Sequence, residues 1–222
     1  MQIKICGLNN LEDVTFVASL TPDFMGFVVN CPNSVRSNTK EQLAYLVANL
    51  KVPYVFLFVN ETITSIVEIC QAHNPIAVQL HGDETPELIL TLKNKLPNIQ
   101  IWKAIHLPNK EDIQSVSSYL KRLHEFVQAG CAKIVLDSAS KNTYGGTGIT
   151  CDWNLASQIV SAIDVPVLLA GGLKPSNVIE AIDQVKSFGV DVSSGVEIIK
   201  GKKDKDLVKK FIQSIRESNS IN

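Results

Sequence analysis

The chain has 222 residues, between one and two average domains of ~150 residues each, and barrels often run past ~200 as one. With 45% hydrophobic and 19% charged residues and a mean hydropathy of +0.11, it is globular rather than disordered. At this size a chain buries roughly 70% of its unfolded surface and needs no disulfide or metal to fold. Lys plus Arg is 21 against 22 Asp plus Glu, a net charge of −1 that leaves no footprint for nucleic acid or an anionic membrane.

The N-terminus, Met1 to Gly7, reads as a strand rather than an apolar leader. The longest apolar run, Val52 to Val59, is interrupted by Pro53 and falls far short of the ~20 residues of a membrane span. Cys6, Cys31, Cys70, Cys131 and Cys151 are odd in number and lack a CxxC pair, so reduced thiols in a cytoplasmic protein are expected.

In chain order, eight short apolar runs recur: Gln2–Cys6, Asp23–Val28, Tyr54–Val59, Ile76–Leu80, Ile99–Ile105, Lys133–Asp137, Val165–Leu169 and Val190–Ser193. Between them lie segments with helical spacing such as Leu11–Leu20, Lys40–Leu50, Thr62–His73 and Asp112–Gln128, and the chain closes with Asp204–Glu217. Near-continuous apolar strands belong to a parallel sheet buried on both faces. Eight strand–helix units in 222 residues come to about 28 residues each, enough for one closed (β/α)8 TIM barrel over 1–222. A doubly wound open sheet is the alternative. Its dinucleotide grip is missing, because the first strand-to-helix turn reads Cys6-Gly7-Leu8-Asn9, with no GxGxxG.

A barrel carries its chemistry at the C-terminal ends of its strands. The seventh and eighth strands run into Gly171-Gly172 and Ser193-Ser194-Gly195, which supply amides and hydroxyls without bulk. These two loops are candidates for a phosphate cradle, or else tight turns requiring positive φ. Cys6 and Asp137 are the candidate base and acid, with dipoles lowering the thiol and partial burial holding the carboxyl protonated. Taken singly, Cys6 also reads as a packed core residue and Asp137 as a cap. Arg36 follows the second strand and is either a carboxylate clamp or an exposed solubilising residue. His81 is expected to be structural or on the rim. Period-two alternation on neighbouring first and eighth strands predicts a structural Lys4–Asp191 contact inside the barrel.

Lys4-Ile-Cys6-Gly7, Val78-Gln-Leu-His-Gly82 and Leu136-Asp137-Ser138 resemble the phosphoribosylanthranilate isomerase family. So do Tyr144-Gly-Gly-Thr-Gly148, Asp152-Trp153, Leu169-Ala-Gly-Gly-Leu173, Gly189-Val-Asp-Val-Ser-Ser-Gly-Val-Glu197 and Gly201-Lys-Lys-Asp204. The ordered set covers the whole chain. The resemblance implies an Amadori rearrangement of N-(5-phosphoribosyl)anthranilate in tryptophan biosynthesis, with Asp137 as general acid and Cys6 as general base. It further implies that Arg36 meets the anthranilate carboxylate, that Gly171, Gly172, Ser193, Ser194 and Gly195 hold the phosphate, and that no metal or organic cofactor is needed. The implied partner is a small phosphoribosyl substrate, with noncovalent contact to neighbouring pathway enzymes left open. Ser34-Val35-Arg36 departs from the family's usual Ser-Pro-Arg, and Cys151 stands where an aromatic is usual.

Three other readings compete. One is an isomerase for the related histidine-pathway ribotide, which would resemble two half-barrel repeats with an aspartate in place of Cys6. Another is a metal-dependent phosphosugar epimerase, for which only His81 is well placed among four histidines. The last is a non-catalytic phosphosugar-binding barrel. The Gly145–Gly148 segment either closes over the substrate or shapes the rim.

Overall fold

In a computed structural model, residues 1–107, 116–138 and 150–221 are described, with side chains to residue 218. The expected Gly145–Gly148 loop and the start of the 112–128 segment lie outside the described residues.

Eight parallel strands close into a barrel: β1 (Gln2–Ile5), β2 (Phe24–Val29), β4 (Tyr54–Phe58), β5 (Ala77–Leu80), β6 (Gln100–Leu107), β7 (Lys133–Ser138), β8 (Val167–Leu169) and β9 (Gly189–Val192). Each pairs with the next, β9 pairs with β1, and a β1–β2 pairing completes the ring. The sequence periodicity places all eight. β8 begins two residues later than expected, because Pro166 has no N–H to give the ladder. β6 runs two residues beyond expectation, carrying His106 to the strand end.

Three short strands were not expected. β3 (Ser37–Asn38) adds to β2, and β10 (Glu197–Ile199) with β11 (Lys202–Lys203) forms a hairpin after β9. None is long enough to produce a periodic signal.

Helices cover the barrel: α1 (Leu11–Ser19), α2 (Lys40–Val47), α3 (Ile63–His73), α4 (Pro86–Lys95), α5 (Val116–Gln128), α6 (Trp153–Ala162), α7 (Val178–Val185) and α8 (Lys205–Ile221). Their starts follow local chemistry. Asn10, Thr39, Thr62 and Asp152 cap free N–H groups at four N-termini, with a full capping box at Thr39 and Gln42. α3 stops where Asn74 turns left-handed at φ 49.

Alternation along the strands sorts the core into two populations. Ile3, Ile5, Met25, Phe27, Phe56 and Phe58 join the helices in one large cluster. Phe24, Val55, Ala77, Trp102, Ala104, Val135 and Leu168 form a separate cluster inside the barrel, with Phe24 edge-on to Trp102 at 5.0 Å. On the same inward parity stand Lys4, Gln79 and Asp191, all buried. The N-terminal end of the barrel is therefore plugged with apolar rings, and the C-terminal end is left to polar groups.

Candidate active site

A pocket opens at the C-terminal end of the strands. Every site residue expected from the sequence lines it: Cys6, Arg36, Asp137, Gly171, Gly172, Ser193, Ser194 and Gly195. His81 and Asp191 line it as well.

Cys6 follows β1 and is 5% exposed. Gly26 on β2 makes room for it: a Cβ there would stand 2.6 Å from the Cys6 Sγ. Beneath it Lys4 donates to Asp191 Oδ2 at 2.7 Å, the contact that strand parity predicted, with the two residues in register across β1 and β9. Burial is the largest influence on the Cys6 thiol and pushes it up. Lys4 and Lys203 pull it down and Asp191 pushes it up, and the net is a raised value. The expectation of a lowered thiol is therefore corrected, because desolvation outweighs the two lysines. The Lys4 ammonium loses to burial but gains more from Asp191 and Cys6, so its pKa is raised. Cys70 and Cys151 are pushed up to about 12 by burial and Cys131 to about 11, the behaviour of small hydrophobes.

Asp137 near the end of β7 is 7% exposed. Its Oδ1 accepts from the Ser138 N–H at 2.7 Å, and its Oδ2 lies 3.3 Å from His81 Nε2. Burial, again the largest single influence, pushes this carboxyl up. His81, His106 and the Ser138 N–H together pull it below the usual carboxylate range. Burial was expected to keep it protonated; the two imidazoles reverse that. His81 is buried rather than on the rim, and it touches the candidate acid directly. Gln79 stands behind it, with the side-chain amide nitrogen 3.0 Å from His81 Nδ1.

Sequence reasoning missed His106, whose Cα is in register with that of Asp137 across β6 and β7. Its ring meets His81 edge to face at 4.9 Å, and its Nε2 lies 3.0 Å from the His81 carbonyl oxygen. The available signal was the period-two parity of Trp102, Ala104 and His106, had the strand been extended by two residues.

Arg36 is fixed by a second missed residue. Its Nε and Nη2 both donate to Glu197 at 2.7 Å, a bidentate pair. Glu197 also takes Lys203 Nζ at 3.0 Å and the Gly201 N–H at 3.1 Å. Burial pushes the Glu197 carboxyl up, but Arg36 and Lys203 bring it below its ordinary value. Arg36 is thus not an exposed solubilising residue. Among the described residues, one edge of its fork belongs to Glu197, and the Nη1 side is left for a ligand.

The two loops expected to cradle phosphate meet at one side of the pocket. Gly171 and Gly172 hold φ of +79 and +65, so the tight-turn reading is correct and coexists with a place in the pocket wall. A Cβ on Gly171 would stand 2.6 Å from the Ser138 backbone nitrogen. After β9, Ser194–Val196 forms one 3-10 turn, and the Ser193 carbonyl accepts from Lys203 Nζ at 3.0 Å.

With this geometry in place, the comparisons with known proteins agree. Residues 3–214 match the family described as N-(5'phosphoribosyl)anthranilate (PRA) isomerase. A relative of that name from Caldanaerobacter subterraneus subsp. tengcongensis is 41% identical, covering 97% of this chain and 98% of its own. The crystal structure of phosphoribosyl anthranilate isomerase from Thermotoga maritima superposes with a TM-score of 0.82 at 35% identity, covering 98% of this chain and 99% of that one. A crystal structure of a phosphoribosyl anthranilate isomerase in complex with reduced 1-(o-carboxyphenylamino)-1-deoxyribulose 5-phosphate gives a TM-score of 0.79 at 34% identity, with the same coverage. The chain belongs to the phosphoribosylanthranilate isomerase family.

Proposed function

We propose that this chain catalyses the Amadori rearrangement of N-(5-phosphoribosyl)anthranilate to 1-(2-carboxyphenylamino)-1-deoxyribulose 5-phosphate, the isomerisation its family performs in tryptophan biosynthesis. The observation that carries the residue assignment is that Cys6 and Asp137, both buried, stand at strand ends on the wall of a single pocket. Asp137 is the general acid: it gives its proton to the ribose ring oxygen as the C1′–O bond breaks, leaving an iminium at C1′. Cys6, as thiolate, takes the C2′ proton, and the electron pair moves into the C1′–C2′ bond to form an enolamine. Tautomerisation to the C2′ ketone completes the isomerisation with no change in atoms.

Lys4 supports this assignment, since a fully buried ammonium beside the thiol is the group that stabilises its ionised form. Arg36 holds the anthranilate carboxylate through the side of its fork that Glu197 does not use. Gly171, Gly172, Ser193, Ser194 and Gly195 bind the phosphate through backbone N–H groups and hydroxyls. No helix among the described residues is long and apolar enough to cross a membrane. A cytoplasmic setting, and loose contact with other enzymes of the pathway, fit a small soluble substrate.

The test is a metal-free assay with freshly generated N-(5-phosphoribosyl)anthranilate, following the loss of anthranilate fluorescence. Turnover that survives a chelator and collapses in Cys6→Ala is the expected result. Ribotide binding without turnover would favour the non-catalytic barrel, and turnover only of the histidine-pathway ribotide would favour that isomerase.

A further inference from the structure

Arg36 and the loop of Ser193 to Gly195 are tied to one another by residues behind the pocket wall. Arg36 follows β2 and Ser193 follows β9, and both line the pocket. Between these strands lies β1, and Gly7 just beyond it holds φ +77. A Cβ at Gly7 would stand 2.6 Å from Arg36 Cδ and 2.7 Å from Ser193 Oγ. The two side chains therefore rest on one stretch of bare backbone, and a larger residue there would displace both.

The β10–β11 hairpin closes the connection from the other side. Glu197 and Lys203 stand in register across it. The Glu197 carboxylate takes Arg36 Nε and Nη2 at 2.7 Å each and Lys203 Nζ at 3.0 Å. The same ammonium donates to the Ser193 carbonyl at 3.0 Å. Arg36, Glu197, Lys203, Ser193 and the Gly7 backbone thus form a closed ring of contacts. The hairpin itself is pinned, because the Lys203 N–H donates to Asp13 Oδ2 at 2.9 Å and the Gly201 N–H to Glu197 Oε2 at 3.1 Å. Both the Glu197 and the Lys203 side chains are buried. A buried ion pair contributes little net stability, since desolvation offsets the attraction, and its best-attested use is to fix a geometry. Two cations against one anion also leave the ring one positive charge, which an entering carboxylate neutralises.

We infer that Glu197 and Lys203 are positioning residues that set the distance between the Arg36 guanidinium and the loop of Ser193 to Gly195. The site then selects a ligand by the span between its carboxylate and its phosphate. A linked ligand gains from both grips only when its length matches theirs. The inference rests on the reading of Arg36 as the carboxylate grip and of that loop as part of the phosphate cradle.

The experiment measures binding to the full chain by displacement calorimetry, with turnover in parallel and a thermal melt to show that each variant is folded. Its probes are anthranilate, inorganic phosphate and reduced 1-(o-carboxyphenylamino)-1-deoxyribulose 5-phosphate, which carries both groups. Glu197→Asp keeps the charge and shortens the arm by one methylene. It weakens the linked probe by about 10-fold or more and each fragment by less than about 3-fold, and KM rises by a larger factor than kcat falls. Lys203→Met cuts the tie from the Ser193 side and leaves Arg36 on Glu197. The linked probe again loses more than the two fragments together. A role in folding alone lowers the melting temperature and keeps the ratio of linked to fragment affinity at the wild-type value, and that result overturns the proposal. A linked probe that falls by no more than one fragment falls makes the two residues local supports and overturns it as well. Anthranilate binding that is equal in Arg36→Ala and the wild type overturns the carboxylate reading of Arg36, and the spacing with it.

Discussion

The two walls of the pocket are equally deep and differ in what stands behind them. On the β1 and β9 side, Cys6 rests on the Lys4–Asp191 ion pair, with the Arg36–Glu197–Lys203 network beside it. On the β5 to β7 side, Asp137 is held by uncharged or titratable partners: His81, His106 and, through His81, the Gln79 amide. Burial pushes both candidate catalytic groups the same way, upward, and is the largest influence on each. They part because the lysines cannot overcome desolvation at the thiol, whereas two imidazoles and an N–H overcome it at the carboxyl. Depth alone therefore does not assign an acid or a base; the immediate neighbours do.

The largest expected effect separates the walls by function. Cys6→Ala and Asp137→Asn each lower kcat by at least ~10²-fold with modest change in KM, as measured under saturating ribotide. Retention of wild-type turnover by Cys6→Ala would falsify the base assignment. Next comes the Lys4–Asp191 ion pair beneath Cys6. Lys4→Met leaves Asp191 buried and unpaired and costs ~3–5 kcal/mol in urea unfolding, and adding Asp191→Asn recovers part of it. If the single and double variants unfold together, the pair is not what supports that wall. Arg36→Ala raises KM by about 10-fold with a smaller change in kcat, because a bidentate carboxylate contact is lost while the proton transfers stay in place. Kinetics in which kcat falls and KM holds would place Arg36 elsewhere.

The smallest expected effect is an absence of change, and it sharpens the comparison most. With Asp137 below the ordinary carboxylate range and Cys6 above the ordinary thiol range, the active form has a protonated carboxyl and an ionised thiol. As pH rises between the two values, the protonated carboxyl declines as fast as the thiolate grows. The profile of kcat/KM, which reports the free enzyme, is accordingly flat through neutrality. It falls on the acid side only below the ordinary carboxylate range and on the alkaline side only above the ordinary thiol range. A bell with both limbs near neutrality would show that the carboxyl does not lie below, or the thiol above, its ordinary range in the free enzyme.

Residue order and spacing were enough to find the eight barrel strands and the Lys4–Asp191 contact, and to put all eight candidate site residues at or after strand ends, where they line one pocket. Each of these depends on local periodicity or on the rule that barrel chemistry gathers at C-terminal strand ends. His106 and Glu197 were not found, and neither was the direction in which the Cys6 thiol and the Asp137 carboxyl are shifted. His106 acquires meaning only from its register beside Asp137, and Glu197 only from a contact with Arg36 across 161 positions of chain. Which strands exist is a matter of short-range pattern, so the sequence determined it. Which charge faces which, and whether desolvation or its neighbours win at a buried group, depends on distances of a few ångströms between remote segments, and only the closed barrel sets those.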